Sequence, residues 1–307
     1  MPTQFEPAPR GEWAARTDTT KRSVFGNYRA DGAPSTASAL SEVSDQRAEP
    51  VLGAPLQASI DLAVARSFIH RFLAKAYEDP MPETWRWLTQ GQTINSLRAA
   101  NAFVGQSLLA SAESLIAALQ PAAYDSFLNA YLAAFGHAAR GSCPLNEIEY
   151  GDIKADPLFQ PHRLADLAAF YRAFGLEVTE DAGERQDHIC LELEFMCVLA
   201  AKEAYAVEHQ FDSDQLAQCR DAQKKFLREH LGRWTPAFAR RLAAATNEPT
   251  LRALAEFTRA FIESECARFG VNPGSEELSL RPVDEAADRA CDSCGINNLP
   301  PGALAAT

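Results

Sequence analysis

Apolar side chains recur at intervals of three and four along most of this chain, and that spacing restricts it to helices. Between residues 57 and 80, Ile60, Val64, Phe68 and Phe72 fall four apart and Pro80 closes the stretch. Such spacing lines one face of an α-helix, whereas a half-buried strand requires alternation. The pattern repeats. Tyr124, Phe127, Tyr131 and Phe135 share a face in a segment that ends at Gly136. Residues 161–178 open with a proline and stop at Gly175, as helices commonly do. The longest apolar segment spans residues 184–209, and three more follow at 212–234, 235–247 and 248–270. No series of period-two segments appears, so the expected fold is all-α: one bundle-like domain over residues 56–270. His70, off the stripe of its helix, is expected at the surface.

The flanks differ. Residues 1–55 are rich in Ala, Pro, Ser, Thr and Gly and poor in large aliphatics. They cannot bury enough apolar surface to offset ordering, so a disordered leader is expected. Residues 271–307 are read as a flexible tail carrying a Cys-x-x-Cys pair, Cys291 and Cys294. The segment 136–160 is the long irregular interruption within the domain, a setting in which loops tend to be functional.

A formal net charge of −12 argues against nucleic acid and anionic membranes as partners, and favours a cationic one. No apolar run reaches the length of a membrane span. The first residues lack the apolar core of a secretory signal, and the seven cysteines are odd in number. A cytoplasmic location with reduced thiols is expected.

Two constellations invite chemistry. Asp187, His188, Glu192 and Glu194 cluster at the start of the longest helix, with His188 and Glu192 one turn apart. The repeated Glu-x-x-His of a dinuclear bundle and the His-Glu-x-x-His of a zinc hydrolase are both missing, as are phosphate-loop and nucleophile-elbow motifs. The bland reading makes Asp187 a helix cap and His188 a hydrogen-bonded residue at the junction. The alternative is a metal-binding or nucleotide-hydrolysing enzyme using His188, Glu192, Cys291 and Cys294. Cys291 and Cys294 by themselves are half a zinc site. The second constellation is charge: twelve acidic against four basic side chains between Cys143 and Glu194, interleaved with Ile148, Tyr150, Phe170 and Tyr171. A solvated face accounts for most charge runs. Acids rimming an apolar surface would also suit an arginine-bearing, greasy peptide.

The stretch RQDHICLELEFMCVLAAKEAYA resembles the signature helix of the TorD/DmsD/NarJ family of molybdoenzyme-specific chaperones. AYDSFLNAYLAAFG and REHLGRWTPAF resemble two further segments of that family, and the likeness extends over residues 57–270. CPLNEIEYG with LADLAAFYRAFGLEV looks closest to the branch serving type II dimethyl-sulfoxide-reductase-like enzymes. The resemblance implies an all-helical cytoplasmic chaperone that is not an enzyme. Its partners would be the apo catalytic subunit of a molybdenum oxidoreductase and its twin-arginine signal peptide. No cofactor would be tightly held, with at most transient contact to molybdopterin guanine dinucleotide or GTP, and the chain would be a monomer or homodimer. Client contact is then expected at an acidic rim of Glu147, Glu149, Asp152, Asp187 and Glu194, with Tyr150, Phe170 and Tyr171 as apolar neighbours. Asp187 and His188 match the family's Asp-His positions.

Overall fold

In the computed structural model, residues 53–136, 141–151, 159–178 and 184–281 are described. Ten α-helices run through them: α1 (Ala54–Tyr77), α2 (Pro82–Thr89), α3 (Gly91–Val104), α4 (Leu109–Ala118), α5 (Tyr124–Phe135), α6 (Phe159–Ala173), α7 (Ile189–Glu208), α8 (Ser213–Glu229), α9 (Leu231–Ala245) and α10 (Pro249–Arg268). Among the described residues β pairing is limited to two isolated bridges, Asn146 with His188 and Tyr150 with Leu280. The fold is all-α, as the spacing predicts.

Helix α1 packs along α7, and against α3 and α10, so it is covered round most of its circumference. Ala63, Ala65 and Ala74 let the neighbouring helices approach. This explains why a one-face stripe misplaces His70. The ring is fully buried, its Nδ1 2.9 Å from the Arg66 carbonyl, and it stands edge-on to Phe261 at 4.7 Å. The core continues through Tyr77, Phe135 and Phe238, whose rings lie 5.4–6.4 Å apart in edge-on and stacked pairs. Tyr131 and Phe135 of α5 face inward as their spacing predicts, and α6 ends before Gly175, whose φ of 75° suits glycine.

At the centre of the bundle lies a charged group that hydropathy does not reveal. Arg66 is 2% exposed and makes a forked contact with Glu265, at 2.8 and 2.7 Å, while also donating to Glu203 at 2.8 Å. Gln223 accepts from Arg66 and donates to Glu203, so the cluster ties α1, α7, α8 and α10. Burial would push the Glu265 carboxyl up, but the Arg66 charge and hydrogen bonds bring it below the ordinary carboxylate range. A buried pair contributes little net stability, but removing one partner strands the other. Arg66→Met is therefore expected to lower unfolding free energy by about 3–5 kcal/mol in chemical denaturation, with Glu265 left uncompensated.

The helix boundaries also shift. Residues 212–234, read as one helix, break at His230, whose φ and ψ are −125° and −102°. Pro236 then falls inside α9. A proline there has no N–H to offer the carbonyl four residues back. That carbonyl, on Gly232, instead accepts the Gly274 N–H at 2.9 Å. Residues 271–281 consequently lie against the bundle rather than forming the start of a loose tail, with Val271 buried and Leu278 and Leu280 packed on the core. The remainder of the expected tail, with Cys291 and Cys294, and residues 1–52 of the expected leader lie outside the described residues.

Candidate functional site

The loop 141–151 is the natural place to look, and its seat is the Asp-His pair. Asp187 offers its carbonyl to the Glu147 N–H at 2.9 Å, and the Leu145 carbonyl takes the Ile189 N–H at 2.9 Å. The Asp187 carboxylate accepts the Ile148 N–H and the Asn146 amide, each at 3.2 Å, and pairs with the Arg185 guanidinium at 3.0 Å. Asp187 thus pins the loop to the start of α7. It is not the helix cap. His188 caps α7, its Nδ1 accepting the Cys190 N–H at 3.3 Å, because Asp187 sits one residue too early and turns to the loop. Burial lowers the His188 pKa to about 4, leaving a neutral imidazole that can accept this hydrogen bond.

The held loop delivers Glu147 into the interior. Its side chain has no exposed surface and lies 2.9 Å from His230 Nδ1 and 3.0 Å from Arg233 Nη2, with Arg163 at 3.6 Å. His230 Nε2 faces Asp166 at 3.2 Å across the same ring. Burial would raise the Glu147 pKa, but the His230 hydrogen bond and the charges of His230, Arg233 and Arg163 carry it below the usual range. Glu192, fully buried on α7, behaves in the opposite way. Desolvation and the neighbouring Glu147 push its carboxyl far up, against the hydrogen bond that Trp234 donates at 3.1 Å. Glu192 therefore gives up its proton less readily in the fold than an ordinary carboxyl does.

The expected acidic rim is thus largely internal. Glu147 and Asp187 are wholly buried, Glu149 is 8% exposed, and Tyr150 and Tyr171 are core residues. Phe170 and Glu194 retain partial exposure. Asp152 lies outside the described residues. The acids face inward because each meets a basic side chain or backbone amide that the fold brings from elsewhere. Glu149, for example, lies 3.8 Å from Arg281. Sequence reading does not find His230, Arg233, Trp234 or Arg281 as members of the site, since their partners lie 42 to 132 positions away. The segment REHLGRWTPAF, which carries His230, Arg233 and Trp234 and bears the family resemblance described above, is the signal that points there.

His188 and Glu192 do not converge on a metal: among the described residues no group of three or more His, Cys, Asp or Glu side chains is disposed to hold one. No helix of the described residues is long and apolar enough to cross a membrane. The arrangement is a buried, paired polar junction that fixes a loop.

Residues 104–240 match the model of the nitrate reductase delta subunit family. The chain is 34% identical to the selenate reductase assembly chaperone protein of Thauera selenatis over 112 residues, covering 35% of this chain and 56% of that protein. It is 30% identical to the chaperone protein TorD of Vibrio cholerae over 119 residues, 38% of this chain and 52% of the relative. The dimethyl sulfide dehydrogenase assembly chaperone protein of Rhodovulum sulfidophilum is 29% identical over 247 residues, 77% of this chain and 92% of that protein. The chain thus spans about half the length of the first two and nearly all of the third.

The junction's protonation sets a pH dependence. The unfolded chain protonates His188 and His70 near 6.5, the folded one near 4, so the unfolded state binds more protons between these values. Glu147, with its lowered pKa, acts in the same direction at still lower pH. Stability is expected to fall as pH drops from about 6.5 towards 4, read by urea midpoints. Glu192 has the reverse sign: its contribution is complete below the ordinary carboxylate pKa and declines as pH rises. Glu192→Gln should therefore flatten the alkaline side of the profile while leaving the acid side intact.

Proposed function

We propose that the protein is a cytoplasmic assembly chaperone for the catalytic subunit of a molybdenum oxidoreductase. It holds the apo-subunit, its twin-arginine leader or both, while molybdopterin guanine dinucleotide is inserted, and releases the subunit for export. The observation carrying this reading is the likeness to an assembly chaperone along 92% of that relative's length. The relatives named above are chaperones in every case, which supports a binding protein rather than a catalyst. Contact with the pterin dinucleotide or GTP would be transient, and the chain a monomer or a homodimer.

In this reading the polar junction works by rigidity. Asp187, His188, Glu147, Tyr150 and Tyr171 hold the loop surface in one shape, and a preformed surface binds without losing loop entropy on each encounter. Glu149, Phe170 and Glu194 are the residues of the acidic and apolar set nearest to meeting a client. A charge-assisted hydrogen bond between a client arginine and a carboxylate contributes about 1.5–3 kcal/mol.

Coexpression with the catalytic subunit of a dimethyl-sulfoxide-reductase-like molybdoenzyme, followed by affinity capture, tests the proposal. The apo-subunit should be retained and the molybdopterin-loaded subunit should not. Asp187→Ala, which frees the loop, should weaken capture about tenfold or more while α-helical circular dichroism is preserved. A chain that captures no such subunit, yet turns over a small molecule unaided, would sink the proposal.

A further inference from the structure

The loop that the Asp-His pair fixes also carries an extended passenger. Tyr150 forms an antiparallel bridge with Leu280. The Gly151 N–H donates to the Ser279 carbonyl at 2.9 Å, and the Arg281 N–H donates to the Glu149 carbonyl at 2.9 Å. Leu278 and Leu280 alternate inward onto the core while Arg281 places its guanidinium 3.8 Å from the Glu149 carboxylate. This is the way an extended peptide adds to a strand edge: main-chain hydrogen bonds hold it, and alternate side chains read the surface.

The passenger is seated at one end by a close backbone approach. Gly274 donates to the carbonyl that Pro236 leaves unused, and a Cβ on Gly274 would stand 1.8 Å from the Arg233 carbonyl oxygen. Beyond that root the seating is less complete. An open groove of about 460 Å³, lined by residues that include Ala237, Arg240, Glu277 and Leu278, separates part of the segment from α9.

We propose that the edge Glu149–Gly151 is a docking site for an extended client peptide with an arginine beyond alternating apolar residues, and that residues 274–281 occupy it as an intramolecular stand-in, displaced when the client arrives. The inference rests on the chaperone reading and sharpens it, naming Glu149 as the acid that meets the client's arginine. Glu147 and Asp187, committed to His230, Arg233 and the loop amides, are excluded from that role. The segment 274–281 lowers apparent affinity by the fraction of time it fills the edge, so loosening it should tighten client binding.

Gly274→Ala in the full-length chain removes the root, and Arg281→Gln weakens the other end by removing the guanidinium beside Glu149. The probe is a synthetic peptide with two adjacent arginines and flanking leucines, titrated by fluorescence anisotropy against both variants and the parent. Each variant should bind it at least about fivefold more tightly. In the parent chain, saturating peptide should speed deuterium uptake in residues 274–281 and slow it in 149–151. Equal or weaker binding by both variants, or unchanged uptake in 274–281 at saturation, overturns the proposal. Should Gly274→Ala fail to fold, the Arg281→Gln titration and the parent exchange experiment decide it. Peptide binding to none of the chains, while the apo-subunit is still captured, also overturns the edge site and leaves the chaperone reading standing. Loss of capture of any molybdoenzyme subunit removes the chaperone reading itself.

Discussion

A carboxylate without exposed surface, Glu147, organises the face of this molecule where loop, helices and returning chain meet. An ionised carboxylate in an apolar interior is costly unless paired and hydrogen-bonded. Glu147 draws a histidine and an arginine from the α8–α9 corner and a further arginine from α6. Those contacts require the sharp turn at His230, which separates two helices that periodicity alone would join. They also require the loop to be pinned from below by Asp187. Remove the pairing and the loop, the corner and the docked segment lose their common anchor.

The bundle carries a second charged centre at Arg66, and the two differ in role. The Arg66 cluster joins four helices in the core. It specifies how α1 lies against α7, α8 and α10. The Glu147 junction instead lies beneath the backbone edge that carries Tyr150 and Gly151. Buried polarity at one site fixes the fold, and at the other it shapes a surface.

Much of the helical plan was legible in the residues. The periodic spacing in α1 and α5 and the glycine after α6 mark elements found in the fold, although α6 begins at Phe159, two residues before the proline expected to open it. Local rules failed where a distant partner changed the outcome. His70 is buried because helices cover both sides of α1. Pro236 is tolerated inside a helix because Gly274 takes the orphaned carbonyl. The acids at 147, 149 and 187 look like a solvated rim in sequence, since nothing local announces that His230, Arg281 or the loop amides will meet them.

The residues by themselves determine that the chain is helical, acidic, and built around an Asp-His-led apolar helix, because periodicity and capping are properties of near neighbours. Tertiary structure alone decides which charges are interior, in which direction burial and pairing move each buried carboxyl's pKa, and that residues 271–281 return to lie beside the loop. Burial and ion pairing depend on side chains up to 199 positions apart, as Arg66 and Glu265 are. No local pattern encodes such distances.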